Sequence, residues 1–137
     1  MTPRIVVAAA ALLLLLAVAA GAFGAHALRV RLAPEALTIF QTAVQYQFWH
    51  ALGLLAIGVL LRMSPRDRLL RAAAWLLVAG IALFCGSLYV LVLAGVRAVG
   101  VVTPFGGVAF LGGWAALAAS AWRWRGTDAA DDASRET

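Results

Sequence analysis

Four long apolar runs, separated by short stretches that hold nearly all the charge, set the pattern of this 137-residue chain. Ile5–Leu28 runs for 24 residues without a formal charge when His26 is neutral. Thr42–Leu61, Ala72–Leu93 and Thr103–Trp122 are the other three runs. About 20 helical residues, at a rise of about 1.5 Å each, cross a hydrocarbon layer of roughly 30 Å. The pattern therefore predicts transmembrane helices over residues 5–28, 42–61, 72–93 and 103–122. Short links between such helices define an all-α fold, an integral membrane four-helix bundle with up-down-up-down antiparallel topology. This bundle occupies residues 1–125. Residues 126–137 are small, polar and mildly acidic, and read as a disordered cytoplasmic tail.

Two stretches within this pattern admit alternatives. Ile5–Leu28 with Arg4 before it and Ala25-His26-Ala27 near its end has the outline of a signal peptide. Its apolar run exceeds the usual core of about 7–15 residues, and three more spans follow, so an uncleaved helix is expected. Leu37, Phe40, Val44 and Phe48 form one apolar stripe ahead of and into the second run. A single helix from Pro34 to Leu61 would be about 42 Å long, more than the hydrocarbon core requires. This predicts a bend or a protruding first part, and leaves open whether residues 34–41 form a separate interfacial helix. Between the second and third runs, Ser64-Pro65 breaks the helix and offers a restart.

Composition sharpens the membrane reading. Hydrophobic residues make up 64% of the chain and charged residues 12%, against about half and a quarter in soluble domains. The net charge of +5 comes from 11 arginines and no lysine, lying almost wholly outside the runs. That is membrane-flanking charge, and nucleic acid is not an expected partner. With the N-terminus inside, Arg4, Arg62, Arg66, Arg68, Arg71, Arg123, Arg125 and Arg135 are cytoplasmic, while Arg29, Arg31 and Arg97 are outside. Eight against three favours cytoplasmic N- and C-termini. The single cysteine, Cys85, excludes an internal disulfide and a thiolate zinc cluster.

With this topology the polar side chains of the spans gather in the outer half. His26 ends the first helix, while Gln45, Tyr46, Gln47 and His50 begin the second. Ser87 and Tyr89 lie late in the third, and Thr103 opens the fourth. Polar groups in hydrocarbon need partners. His26, Gln45, Tyr46, His50, Ser87, Tyr89 and Thr103 are therefore the candidate cluster, either a register device or a ligand site. His50, roughly 12 Å below the outer boundary, is expected to be deepest and to matter most. Small residues mark close helix packing: Gly21, Gly24 and Ala25 on the first helix, Gly86 on the third, and Gly106, Gly107 and Gly113 on the fourth.

Chemistry beyond that is sparse. No carboxylate lies in any span, and no serine–histidine–acid order, glutamate pair or HExxH occurs. Neither a catalytic set nor a bound metal or other cofactor is expected. Haem or a metal held by His26 and His50 is the least favoured reading, since metals recruit more ligands and bis-histidine haem needs facing imidazoles. The main expectation is a non-enzymatic structural or interaction protein. The alternative is a binding or transport module for a small molecule, lipid or quinone. Membrane lipids, a second copy of the chain or another membrane protein are the expected partners.

Four segments also carry a family likeness: Gly21-Ala22-Phe23-Gly24-Ala25-His26, Thr42–Gln47 with His50, Gly86-Ser87-Leu88-Tyr89, and Thr103-Pro104-Phe105-Gly106-Gly107. Together they resemble the domain-of-unknown-function 423 family of small multi-span bacterial membrane proteins, similar to the eukaryotic transmembrane protein 256. The resemblance runs from about Ala17 to Trp114, with the motifs in the family's order. It implies a four-span inner-membrane protein without an established catalytic activity. Cys85 stands where the family often has serine, and Leu28 where glycine is frequent. The first departure weakens any chemistry that needs a hydroxyl there; the second implies a less permissive end to the first helix.

Overall fold

The computed structural model of the chain describes the backbone of residues 1–135 and the side chains of residues 1–123. Of the tail expected to be disordered over 126–137, the backbone through Arg135 continues as helix, and residues 136–137 lie outside the described residues. Among the described residues the fold is all-α, with four helices long and apolar enough to cross a membrane: α1 (Pro3–Leu28), α2 (Pro34–Met63), α3 (Arg68–Ala94) and α4 (Thr103–Arg135). Each start has a local cause. The Thr2 hydroxyl accepts from the Ile5 amide ahead of α1, and Pro3 and Pro34 sit in the first turns of α1 and α2, where no amide is needed. Gly95 stops α3 in the left-handed conformation at φ 69°, which a Cβ would strain.

The way α2 is built and linked decides one question the sequence left open and corrects one expectation. It is one helix of 30 residues, about 45 Å long, and residues 34–41 are its first turns rather than a separate interfacial element. Phe40 explains this: its buried ring fits over Gly24 of α1 and meets Tyr89 of α3 at 5.2 Å between centroids. The restart after α2 falls at Asp67 rather than at Ser64-Pro65. The Asp67 carboxylate caps α3 by accepting from the amides of Leu69 (2.7 Å) and Leu70 (3.2 Å). Arg62 and Arg68 thus belong to helix ends, and the connection shortens to Ser64–Asp67.

The helices pack in chain order. α1 lies along α2, α2 along α3, and α3 along α4. Val6 and Val7 at the start of α1 face Gly58 near the end of α2, and Phe84 late in α3 faces Gly106 early in α4. Both pairs are antiparallel, giving the expected up-down-up-down topology. The core joins Val6 and Ala10 of α1, Leu54, Ile57 and Leu61 of α2, Leu70 and Leu77 of α3, and Phe110 of α4. The outer faces of α1 and α4 turn large apolar side chains outward, as Leu15 (63% exposed) and Leu111 (72%) illustrate. Such faces suit hydrocarbon, where burying apolar surface in protein brings little gain.

Glycines set the closest approaches, though only some of the expected ones. A Cβ at Gly106 would collide with the Phe84 backbone, one at Gly113 would lie 2.7 Å from Leu77, and one at Gly24 3.0 Å from Phe40. Gly21 and Gly107 have ordinary contacts, while Gly86 faces open space. Ala25 is exposed. At about 100° per residue, the two four-residue steps from Ala17 to Ala25 over-rotate by about 80°, whereas the step to Gly24 keeps the face. Gly53 against Trp114, Gly58 against Val7 and Gly80 against Phe110 are close approaches that sequence reasoning missed.

Both α1 and α3 contain one turn of π-helix, Gly24–Leu28 and Ile81–Cys85. Such turns free backbone groups and often accompany sites of function. Just after the turn in α3, the Ser87 hydroxyl donates to the Phe84 carbonyl at 2.9 Å.

Candidate functional site

The structure divides the seven candidate residues instead of joining them. Gln47, which was not among the seven, is the hub. Its position on α2 follows Phe40 and Ala43 and precedes His50, Ala51 and Leu54 at helical spacing, all on the buried face. The Gln47 Nε2 donates to the Leu13 carbonyl of α1 at 2.9 Å, and its Oε1 accepts from the Tyr89 hydroxyl of α3 at 2.9 Å. One amide therefore ties three helices together. Gln45 lies two residues away, about 200° around the helix, and is exposed.

Ser87 and Thr103 make a second link. Because the Ser87 proton goes to Phe84, the Thr103 hydroxyl donates to Ser87 Oγ at 2.7 Å, joining α3 to the start of α4.

His50 and Tyr46 belong to an aromatic stack. Tyr46 lies 4.7 Å from Phe84 and 5.7 Å from His50 between centroids, and His50 covers Phe110 at 3.5 Å and 17°. Trp114 completes the group at 6.0 Å from His50. The His50 Nδ1 donates to the Tyr46 carbonyl, one turn back in its own helix, at 2.7 Å. Among the described residues no hydrogen bond from another helix to the ring is made, so the expected convergence on His50 does not occur. His26 is also separate: it is exposed and its Nδ1 donates to Ala22 of α1 at 3.0 Å. One imidazole thus caps its own helix while the other stacks on α4, and they do not form the facing pair that bis-histidine haem needs. Among the described residues no group of three or more histidine, cysteine or acidic side chains is assembled for a metal.

The opposite end of the bundle holds a contact that sequence reasoning overlooked. Ser120 of α4 is fully buried, and its hydroxyl donates to Asp67 Oδ2 at 2.6 Å. Desolvation of the Asp67 carboxylate opposes its ionisation. Ser120, the Leu70 and Leu69 amides, and the Arg123 charge outweigh it and hold the pKa below the ordinary carboxylate value. The available signal was an aspartate immediately before an apolar helix, the usual N-cap pattern.

Beside Gln47 and Tyr89 lies a groove of about 470 Å³ between α1 and α3, with α2 as its floor. Its walls follow α1 from Leu13 to Phe23 and α3 from Ile81 to Leu93, about 15–18 Å of helix. They are apolar, and Leu16, Phe23 and Leu93 at the rim are about half exposed. The Gln47 amide has two N–H groups and one is committed to Leu13. The floor therefore offers one further donor, and the Tyr89 oxygen retains acceptor capacity.

Four apolar spanning helices, chained by buried hydrogen bonds, define a small multi-pass membrane protein. The chain belongs to the family described as "Protein of unknown function (DUF423)", which matches residues 20–107. It is 40% identical over 109 residues to a UPF0382 membrane protein of Staphylococcus haemolyticus, covering 80% of this chain and 88% of that protein. A UPF0382 membrane protein of Staphylococcus saprophyticus is 45% identical over 101 residues, 74% of this chain and 82% of its own length. The UPF0382 membrane protein YwdK of Bacillus subtilis is 40% identical over 108 residues, with 79% and 88% covered. No solved structure matches the chain.

The arrangement separates two kinds of polar residue. Gln47→Leu removes the donor to Leu13 and strands the Tyr89 hydroxyl, so a loss of about 1–2 kcal/mol is expected. His50→Phe keeps the stack on Phe110 and deprives no other helix of a partner, so its loss is expected to stay below about 1 kcal/mol. Thermal unfolding of both variants in one detergent checks this order; an equal or larger loss for His50→Phe would refute the assignment of Gln47 as the hub.

Proposed function

We propose that this protein is a non-enzymatic membrane component that holds an apolar, tail-bearing membrane molecule, a lipid or a quinone, in the α1–α3 groove. The observation that carries the reading is an apolar groove, open to the surroundings of the bundle, with one uncommitted Gln47 N–H at its floor. The long walls suit a tail, and the amide suits a carbonyl or ester oxygen. The other polar links are internally satisfied and hold helix register, which fits a binding scaffold better than a reacting centre.

Gly86 provides the test. It lines the groove, has helical backbone at φ −59° and ψ −45°, and a Cβ there meets nothing within 4 Å. Gly86→Leu is therefore expected to fill the groove without destabilising α3, since leucine has the higher helix propensity by roughly 0.5–1 kcal/mol. Mass spectrometry of molecules co-purifying in mild detergent should find one apolar species near stoichiometry on the parent. Retention should fall at least roughly tenfold on the variant, a difference of about 1.4 kcal/mol or more. Equal retention on a variant that melts like the parent would defeat the reading.

The arginine distribution supports cytoplasmic termini, with the Ser64–Asp67 turn also inside. Reporter fusions after Arg31, Ser64, Arg97 and Gly126 are expected to read outside, inside, outside and inside. A reporter at Ser64 that reads outside would reverse the orientation.

A further inference from the structure

Among the described residues, the end of the bundle around the Ser64–Asp67 turn carries six arginines and one acid, Asp67. Arg4 lies in the first turn of α1 and Arg62 in the last turn of α2. Arg66 lies in the turn, Arg68 opens α3, Arg71 follows one turn later, and Arg123 ends the apolar span of α4. Antiparallel packing brings these helix ends to one level, and all six side chains are exposed. The opposite end has Arg29, Arg31 and Arg97 with Glu35 among the described residues.

The acid at this end is occupied. Asp67 Oδ1 accepts from the Leu69 and Leu70 amides, and Oδ2 accepts from Ser120. None of these hydrogen bonds is to an arginine; Arg123 stabilises the carboxylate through its charge alone. Arg71 reaches back to the Pro65 carbonyl at 2.6 Å, and that leaves most of its donor fork uncommitted. Arg66 and Asp67, with Ser64 and Pro65, also line a pocket of about 540 Å³ at the turn.

Level with these arginines, Met63 and Trp122 turn large apolar surfaces outward, 79% and 77% exposed. A methionine and a tryptophan flanked by arginines at the ends of spanning helices place this level at the border of the hydrocarbon layer, where tryptophan is enriched. The phosphates of the adjoining leaflet occupy the same level. Guanidinium groups match a phosphodiester with paired N–H donors, and among the described residues the one carboxylate at this end is already occupied.

We infer that this arginine-rich face, centred on Arg62, Arg66 and Arg68, is a binding surface for the phosphodiester headgroup of anionic phospholipids in the adjoining leaflet. The surface is separate from the α1–α3 groove and does not depend on what the groove holds.

The full chain, reconstituted into nanodiscs of phosphatidylcholine and phosphatidylglycerol, tests this by native mass spectrometry of retained lipid. Phosphatidylglycerol should be enriched over phosphatidylcholine on the parent, and R62Q/R66Q/R68Q should reduce that enrichment by roughly tenfold or more. These positions lie at helix ends or in the turn and leave the Asp67–Ser120 contact in place. If the triple variant does not fold, R66Q alone carries the test, with a smaller loss of enrichment expected. R29Q/R31Q, on the opposite end, should leave enrichment unchanged. Excess inorganic phosphate should not displace the bound phosphatidylglycerol. Equal retention of both lipids by the parent, equal losses from the two sets of substitutions, or displacement by inorganic phosphate would overturn the inference.

Discussion

Gly106→Ala is expected to loosen α4 from α3 and to lower stability by about 3 kcal/mol, at the upper end of the usual range for overpacking. A methyl group at Gly106 would run into the backbone nitrogen of Phe84 and lie 2.7 Å from its Cβ. A backbone cannot turn aside as a side-chain tip can. Relief therefore requires the two helices to separate near the π-helical turn Ile81–Cys85. Separation would also stretch the Ser87–Thr103 hydrogen bond, which spans the same contact at 2.7 Å. The comparison is Gly107→Ala, one residue on, where the nearest atom to a new Cβ is 4.0 Å away. Thermal unfolding in detergent should show a large loss for the first and little change for the second. Matching melting curves for Gly106→Ala and the parent would mean that this helix contact is not close.

Asp67→Ala is expected to cost about 2 kcal/mol through two losses. The cap on α3 disappears, worth about 1 kcal/mol, and the fully buried Ser120 hydroxyl loses its acceptor, worth about 1 kcal/mol or more. Asp67→Asn keeps an oxygen for the cap and should lose less. A double-mutant cycle with Ser120→Ala isolates the shared term, and a coupling near zero would refute the contact between them.

The same carboxylate predicts a pH dependence. Its pKa in the folded protein lies below its ordinary value. The stability it contributes is complete above the unfolded carboxyl pKa of about 3.9 and is lost as pH falls through the lower folded value. Acid unfolding of the parent should therefore show a destabilisation on the acid side of that value that is absent from Asp67→Asn.

Much of this architecture is legible in the order of residues, and particular residues show where legibility stops. The four apolar runs identify the spans because length and absence of charge alone decide whether a helix suits hydrocarbon. Pro3, Pro34 and Gly95 mark helix ends for local reasons of backbone geometry. The buried face of α2 is harder to read. The large stripe Leu37, Phe40, Val44 and Phe48 suggests one face, yet Phe48 is exposed and the buried face continues through Ala43, Gln47, Ala51 and Gly58. In water a large apolar residue signals the core, but in lipid it is at home outside. Small residues then mark the interface, and the polar residue among them marks the link.

His26 and Gln45 show the same limit at the candidate site. Position along the spans puts them at the expected depth of Tyr89, Ser87 and Thr103, but depth says nothing about azimuth. A change of two residues turns a side chain by about 200°, enough to send Gln45 outward while Gln47 ties α1 to α3.

By itself the sequence determined the number of spans, their alternation and the excess of arginine at one end, because each follows from composition or spacing along the chain. Only the tertiary structure decided that Gln47 is the hub, that His50 belongs to an aromatic stack, and that Asp67 meets Ser120 across 53 positions. Those contacts depend on the rotation of each helix about its own axis. That rotation is chosen by close approaches such as Gly106 against Phe84, which no single helix contains.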